Sequence, residues 1–465
     1  MAIPDELSVW IKGQNAGTLH RDDAEINFTY DTAYADSDNP VLSISMPKSI
    51  QHHRHPIPTR WIDNLLPDND EVRERWANFS GNRRVSPFAL LAHMGADCAG
   101  AVQILPVDTT PGTDAGTITL SETDIAERLQ GLRTDTSSWT RSDQPGQWSL
   151  GGAQGKFALT HKPNGAWAEP TGRMASTHII KPGIARLPDA DAAEYVSMRA
   201  AALLGINVAD TALTEFGGQR ALVSTRYDRH REPDGTITRI HQEDLCQALG
   251  ISRVAKYQAD GGPSVSDISD LLGTLNNPDR VTSSRELFAQ GLAYNWLIIG
   301  TDAHAKNHSL LHEPHGRTRM APLYDITSAM LLSEGINLKY KAKLSMKMGN
   351  EYLLYAIGEN ELRQAGLDAG TGPDYIIDKL RNFARDLPDA VRTAIDETNG
   401  LISKETAELF MTRTQARISN LPAFAKTRHA AKTSPATAQP PPSKTYPYTY
   451  GTNTLTNNQH DQPTP

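Results

Sequence analysis

Apolar and polar positions alternate along the first part of the chain and pass into helical spacing along the last. On either side of a Gly13–Gly17 turn the segment LSVWIKGQNAGTL (7–19) alternates, which predicts a β-hairpin. INFTYD (26–31) and VLSISM (41–46) read as further strands. In RWIDNLLPDNDEVRERWANF (60–79) the apolar residues recur at helical spacing, so two short helices are predicted with the break at Pro67. PFALLAHMGAD (87–97) is another helix, closing near Gly95. The segment from Thr109 to Gln147 is rich in Thr, Asp, Gly and Ser and reads as a connector; within it SETDIAERLQGL predicts a helix with Ser121 and Asp124 placed as a cap.

From Trp148 the order is glycine turn, strand (KFALTH), turn (KPNG), strand (THIIK), helix (DAAEYVSMRAAALLG) and two more strands (TALTEF, RALVSTRYDR). Beyond about His241 the periodicity is helical: QEDLCQALG, SVSDISDLLGTL, SSRELFAQGLAYNWLIIG and DYIIDKLRNFARDLPDAVRTAIDET. A β-rich lobe followed by a larger helical lobe is an α+β arrangement. The expected divisions are an N-terminal subdomain over 1–108, the connector over 109–147, the β-rich lobe over 148–235, the helical lobe over 236–426 and a tail over 427–465. The tail turns to Pro, Thr, Asn and Gln and is expected to be disordered, because it has too little apolar surface to bury.

Bulk composition narrows the class. The 465 residues are 38% hydrophobic and 22% charged with a net charge of −8, as in a soluble globular protein that is not basic overall. Two cysteines, Cys98 and Cys246, are too few for a disulfide framework or a cysteine zinc site, and a cytoplasmic location fits them. MAIPDELSVW lacks the basic and apolar regions of a signal peptide, and the most apolar stretch, Leu292–Gly300, is too short to cross a membrane.

Candidate chemistry begins with SLGGAQGKF (149–157). Glycines let a backbone approach phosphate, and a lysine adds a point charge. The Walker pattern G-x-x-x-x-G-K-[ST] is not met: Gly151 and Gly152 stand too close to Gly155-Lys156, and Phe157 occupies the Ser/Thr position. In GTDAHAKNHSLL, Asp302 and Asn307 have the D-x-x-x-x-N spacing of a protein-kinase catalytic loop, with His304 and Lys306 between them within reach of phosphate. In MAPLYDITSAM, Asp325 ends an apolar run, where an Asp can hold the metal that bridges ATP phosphates, although Tyr324-Asp325-Ile326 replaces Asp-Phe-Gly. Lys181 closes a β-branched run, and Glu194 follows on the next helix, as in a lysine–glutamate pair that positions phosphates.

Each residue also has a structural reading. Asp302 and Asp325 can be caps, Asn307 a turn residue, Lys181 a solvated strand end and Glu194 a surface charge. His304 and His308, at i and i+4, suggest zinc, but no third ligand is identifiable. What these readings leave unexplained is the order: glycine turn, strand lysine, helix glutamate, D-x4-N loop, metal-type Asp.

SLGGAQGKFAL, HIIKPG, RYDR, QEDLCQALG, KYQADGGP, TDAHAKNHS and APLYDITSA together resemble the HipA family of serine/threonine kinases, the toxins of bacterial toxin–antitoxin pairs. WIDNLLPDND, FALLAHMGADCAGAVQILP and NAGTL are similar to that family's N-terminal domain, and the resemblance runs from about Leu7 to about Phe424. It implies a two-lobed, protein-kinase-like fold carrying a HipA-type N-terminal subdomain. It implies Asp302 as catalytic base, and Asn307 and Asp325 as Mg2+ ligands. ATP would be held by Gly151, Gly152, Ala153, Gln154, Gly155, Lys156 and Lys181, by the hinge Thr225-Arg226-Tyr227, by His304, Ala305, Lys306 and Asn307, and by Tyr324 and Asp325. Glu194 would form the structural ion pair with Lys181, and Ser149 matches the serine that family members autophosphorylate, an off-switch in the phosphate loop. The implied partners are a separate helix-turn-helix antitoxin, through it operator DNA, and a translation component as substrate, typically an aminoacyl-tRNA synthetase.

Thr225 stands where the family can carry a carboxylate, and Gly155 where an acidic residue occurs, but neither change touches Asp302, Asn307 or Asp325. Two other readings stay open on sequence alone: a kinase-fold enzyme acting on a small molecule, and a binding subunit acting as corepressor with an antitoxin.

Overall fold

Five antiparallel strands in the order His52–His53, Glu25–Tyr30, Gln14–Asp22, Glu6–Ile11, Val102–Pro106 open the computed structural model, which describes residues 4–426 apart from 24, 80–84, 113–115, 141–147, 185–186, 188 and 333–340. The described residues form one compact unit. The tail expected over 427–465 lies outside the described residues. The hairpin forms as its alternation predicts, with Leu7, Val9 and Ile11 turned to the core. Against the sheet pack the helices Ile57–Asn64, Asp70–Phe79 and Pro87–Met94, the last capped by Ser86 and closed at Gly95.

VLSISM does not form a strand. Ser43 and Met46 make one isolated bridge, and the segment bends around the Tyr30 hydroxyl, which donates to Met46 O at 2.7 Å and accepts from Leu42 N at 3.0 Å. Two further groups go to a distant carboxylate, Ser43 Oγ donating to Glu243 at 2.5 Å and Ile44 N at 2.9 Å, and Ser45 Oγ donates to Gln247 O at 2.7 Å. A strand-like pattern here serves a packed loop, because buried backbone groups need partners but not sheet partners.

The next sheet has six strands, ordered Thr211–Phe216, Gln219–Thr225, His178–Pro182, Phe157–His161, Trp167–Thr171, Gly116–Thr119. Its last strand comes from the segment read as connector, and Trp167–Thr171 was not anticipated. Helix Glu122–Thr134 begins at the Ser121/Asp124 capping box, as expected. Helix Ala190–Leu203 carries Glu194 on a face that is almost wholly buried.

QEDLCQALG is not one helix. His241–Asp244 pairs antiparallel with Ser309–His312, which also pairs with Thr318–Met320, and only Leu245–Ala248 is helical. Asp244 and Gln247 form a capping box at the junction, so the residue that ends the strand starts the helix. The helical lobe is built from Val265–Gly273, Pro278–Ile298, Glu359–Asp368, Tyr375–Asp396 and Lys404–Ser419 around one apolar core. No helix among the described residues is long and apolar enough to cross a membrane.

Asp97 joins these parts. Its fully buried carboxylate accepts from Ser176 Oγ (2.6 Å), Arg229 (2.9 Å) and Arg239 (3.1 Å) and lies 3.4 Å from Arg226. Asp228 takes the other side of Arg226 (2.8 Å) and the Gly100 amide (2.7 Å). Burial opposes the charge on Asp97, but the arginines outweigh it and hold the carboxyl well below the usual range. A depressed carboxylate stabilises the fold above its unfolded pKa and loses that contribution only as pH falls through the folded value, so this joint persists into strong acid. Asp97→Ala takes a buried carboxylate from Arg226, Arg229 and Arg239, of which the first two keep Asp228, and is expected to cost about 3 kcal/mol in urea unfolding at neutral pH.

Candidate active site

A cleft of about 280 Å³ opens between the six-stranded sheet and the helical lobe. The glycine turn forms one wall. Gly152 has φ +98°, and a Cβ there would come within 2.5 Å of the Lys156 ammonium, which is tucked under the turn and over the Trp139 ring. The turn is held from outside the sheet: Asp68 N donates to Gly152 O at 2.8 Å, and Ser149 N to Asp97 O at 3.0 Å. Ser149 is fully buried, its hydroxyl donating to Leu65 O at 2.8 Å. Burial, with Lys181 nearby, pushes Lys156 down to about 8.

The opposite wall carries paired charges. Strand His178–Pro182 places Lys181 where its ammonium meets Glu194 Oε1 at 2.8 Å and Asp325 Oδ1 as well. Burial opposes the charge on Lys181, but Asp325 and Glu194 raise it above its ordinary value. Burial raises Glu194, while the neighbouring lysines hold Asp325 low against burial. Asp325 sits in the left-handed region at φ 60°, a conformation Asp tolerates better than bulkier residues, and its side chain is one-third exposed to the cleft.

Helix Pro278–Ile298 ends with Ile299 at φ 58°, and Gly300 packs so closely on Asn295 that a Cβ would collide with its amide. The chain then turns through Asp302. The Asp302 carbonyl accepts from His304 N at 2.9 Å and from Asn307 Nδ2 at 2.8 Å, so the Asn307 amide is oriented by its own loop. The Asp302 carboxylate is mostly exposed and accepts from the Tyr257 hydroxyl at 2.5 Å. Lys306 donates to Asn64 O (3.1 Å) and Asp68 Oδ1 (3.0 Å), and Lys256 reaches the other oxygen of Asp68 at 2.9 Å. Tyr324 donates to Lys306 O at 2.8 Å, and its ring lies 5.7 Å from that of Tyr227.

The cleft therefore brings together Gly151, Gly152, Ala153, Gln154, Lys156, Lys181, Glu194, Thr225, Arg226, Tyr227, Asp302, His304, Lys306, Asn307, Tyr324 and Asp325. Gly155 does not line it; it packs on Leu132 and Thr136, and a Cβ there would stand 3.2 and 3.3 Å from them. Ala305 is fully buried beneath it, its amide donating to Lys256 O. Ser149 also lies behind the wall rather than on it. In the hinge, Thr225 N is used by Asp210 O and Arg226 N by Thr177 O, and the Arg226 guanidinium is committed to Asp97 and Asp228. Asp68, Lys256 and Tyr257 were missed. WIDNLLPDND and KYQADGGP contain them, but nothing in either segment marks a side chain aimed at a loop 45 residues away, for Tyr257, or 238 residues away, for Asp68.

Among the described residues no three His, Cys, Asp or Glu side chains gather as a metal cluster. Asp325 with the Asn307 carbonyl oxygen instead offers a hard-oxygen pair of the kind that binds Mg2+ together with phosphate and water. Donation by Asn307 Nδ2 to the loop leaves Oδ1 as the atom for such an ion.

The HipA-like C-terminal domain matches residues 148–398, and the HipA N-terminal domain matches 7–105. The chain belongs to the HipA family. Y4mE of Sinorhizobium fredii is 33% identical over 404 residues, covering 85% of this chain and 93% of that protein. The serine/threonine-protein kinase toxin HipA of Shewanella oneidensis is 30% identical over 356 residues, covering 72% and 76%. The fold is that of HipA in the solved complex of Shewanella oneidensis HipA, HipB and operator DNA, with a TM-score of 0.73 at 24% identity over 89% of this chain and 96% of that one. The two-lobed kinase-like α+β fold with a HipA N-terminal domain is thus present, and the chain is a kinase.

The low Lys156 value has a measurable sign. Between about 8 and the ordinary lysine value of 10.5 the unfolded chain binds the proton that the folded chain has lost, so this group makes stability rise with pH across that window. Urea melts from pH 7 to 10 are expected to show a smaller rise in Lys156→Met than in wild type.

Proposed function

We propose that the protein is an ATP-dependent serine/threonine kinase that acts as the toxin of a toxin–antitoxin pair. The observation that carries this reading is the convergence, in one cleft, of Lys181 paired to Glu194 and Asp325 with the Asp302–Asn307 loop opposite. Phosphoryl transfer needs positioning and charge neutralisation more than covalent help, and this cleft offers both.

The nucleotide base enters beside Tyr227 and Tyr324 at the hinge. With the Thr225 and Arg226 amides already used, Tyr227 is the hinge residue whose backbone remains for adenine. The phosphates run under the Gly151–Gly152 turn toward Lys156 and Lys181. Asn307 Oδ1 and Asp325 would hold Mg2+, which supplies charge neutralisation at the phosphates. Asp302 orients a serine or threonine hydroxyl and accepts its proton as the oxygen bonds to the γ-phosphorus and the bond to ADP breaks. Tyr257 must give up its hydrogen bond to Asp302 for that hydroxyl to enter.

Ser149 fits an off-switch. Its hydroxyl has no room for a phosphate while it donates to Leu65 O, so phosphorylation requires the loop to leave the wall, and the added charge keeps it out. By kinship with the Shewanella oneidensis protein solved with HipB and operator DNA, the partner is a helix-turn-helix antitoxin and, through it, operator DNA. The substrate proposed is a translation component, an aminoacyl-tRNA synthetase, in the cytoplasm.

A radiolabelled-ATP assay on dephosphorylated, Mg2+-loaded protein tests this. Wild type is expected to label itself, with label mapping to Ser149 by mass spectrometry, and Asp302→Asn to lower transfer by about a hundredfold or more. Absence of label from wild type would remove the kinase-toxin reading.

A further inference from the structure

Asp68 lies in the HipA N-terminal domain, yet its side chain ends in the kinase cleft. One oxygen accepts from Lys306 at 3.0 Å and the other from Lys256 at 2.9 Å, with the carboxylate almost wholly buried. Its own amide donates to Gly152 O at 2.8 Å, and its carbonyl accepts from Arg253 at 3.1 Å. Asn64, four residues earlier at the end of its helix, takes a second proton of the Lys306 ammonium on its carbonyl oxygen at 3.1 Å. The ammonium is thereby placed beneath the glycine turn, 3.4 Å from where a Cβ on Gly151 would stand. An ammonium has three N–H groups. Asn64 and Asp68 engage two and leave one for a phosphate oxygen.

We infer that Asp68 is a positioning residue for phosphoryl transfer: from the N-terminal domain it fixes the Lys306 ammonium and the glycine turn relative to each other, so that the two grip the same phosphate. The inference rests on the kinase reading of the cleft and adds to it that the N-terminal domain forms part of the nucleotide site. A strut between domains would serve as well anywhere along their contact. Asp68 instead binds, with adjacent main-chain and side-chain groups, the two elements that must close on the transferred phosphoryl group. Lys306 without that carboxylate keeps its charge but loses its aim, and misplacement of a positioning group by about 1 Å can cost about a hundredfold in rate.

The test uses full-length protein and separates kcat from KM for ATP, with thermal melting to report folding. Asp68→Asn keeps the size and the backbone contact to Gly152 and removes the charge. It is expected to lower kcat by about tenfold or more while KM for ATP changes less than about threefold, with Asp68→Glu recovering part of the rate. Unchanged kcat in a folded Asp68→Asn, or loss of kcat and melting temperature together in both variants, overturns the inference. So does a rise in kcat, which would make the ion pair a brake. Asp302→Asn is measured alongside: if it matches wild type, the kinase reading fails and this inference with it, whereas if only Asp302→Asn is impaired, the inference about Asp68 fails alone.

Discussion

The buried ion cluster around Asp97 is the joint on which the molecule depends. Its carboxylate gathers Arg226, Arg229 and Arg239, while its carbonyl receives the amide of Ser149 at the start of the glycine turn. One residue of the N-terminal domain thus contacts Arg226 and the start of the glycine turn together. Such clusters are costly to desolvate and tolerable only when nearly every lone pair and N–H is matched, which makes the arrangement exacting about geometry. Trp76 packs edge-on against Trp139 and Trp148, where helix Asp70–Phe79 meets two segments beside the turn.

The cleft itself is an arrangement of cations waiting for an anion. Lys156, Lys181, Lys256 and Lys306 all line it, and Asp68, Glu194 and Asp325 offset them. Under the proposed function a polyphosphate would bring negative charge to these lysines, and Asp325 would then be available to a metal. The depressed Lys156 and the raised Lys181 differ for one reason: Lys181 has carboxylates against its ammonium, and Lys156 has an aromatic face and a neighbouring cation.

Much of this was legible in the chain. The hairpin at 7–19, the helix pair around Pro67 and the Ser121 cap follow from alternation, helical spacing and cap chemistry, all local effects. VLSISM and QEDLCQALG were misread because their conformation is set by partners elsewhere: Glu243 and the Tyr30 hydroxyl bend the first, and pairing with Ser309–His312 draws the second into a strand. Gly116–Thr119 and Trp167–Thr171 show the same limit, since a short strand is stabilised by its neighbours more than by its own residues.

The order of glycine turn, Lys181, Glu194, Asp302, Asn307 and Asp325 can be read in the sequence, because the glycine turn, the strand that ends in Lys181 and the Asp302–Asn307 spacing are local patterns. The sequence also determined the family and the two-lobed fold that go with them. Only the tertiary structure decided that Gly155 and Ala305 stand off the cleft, that Ser149 is sealed behind it, and that Asp68 reaches in from another domain. Those outcomes depend on which surfaces meet across long separations, and a contact between residues 68 and 306 leaves no periodicity, cap or motif for the chain to display.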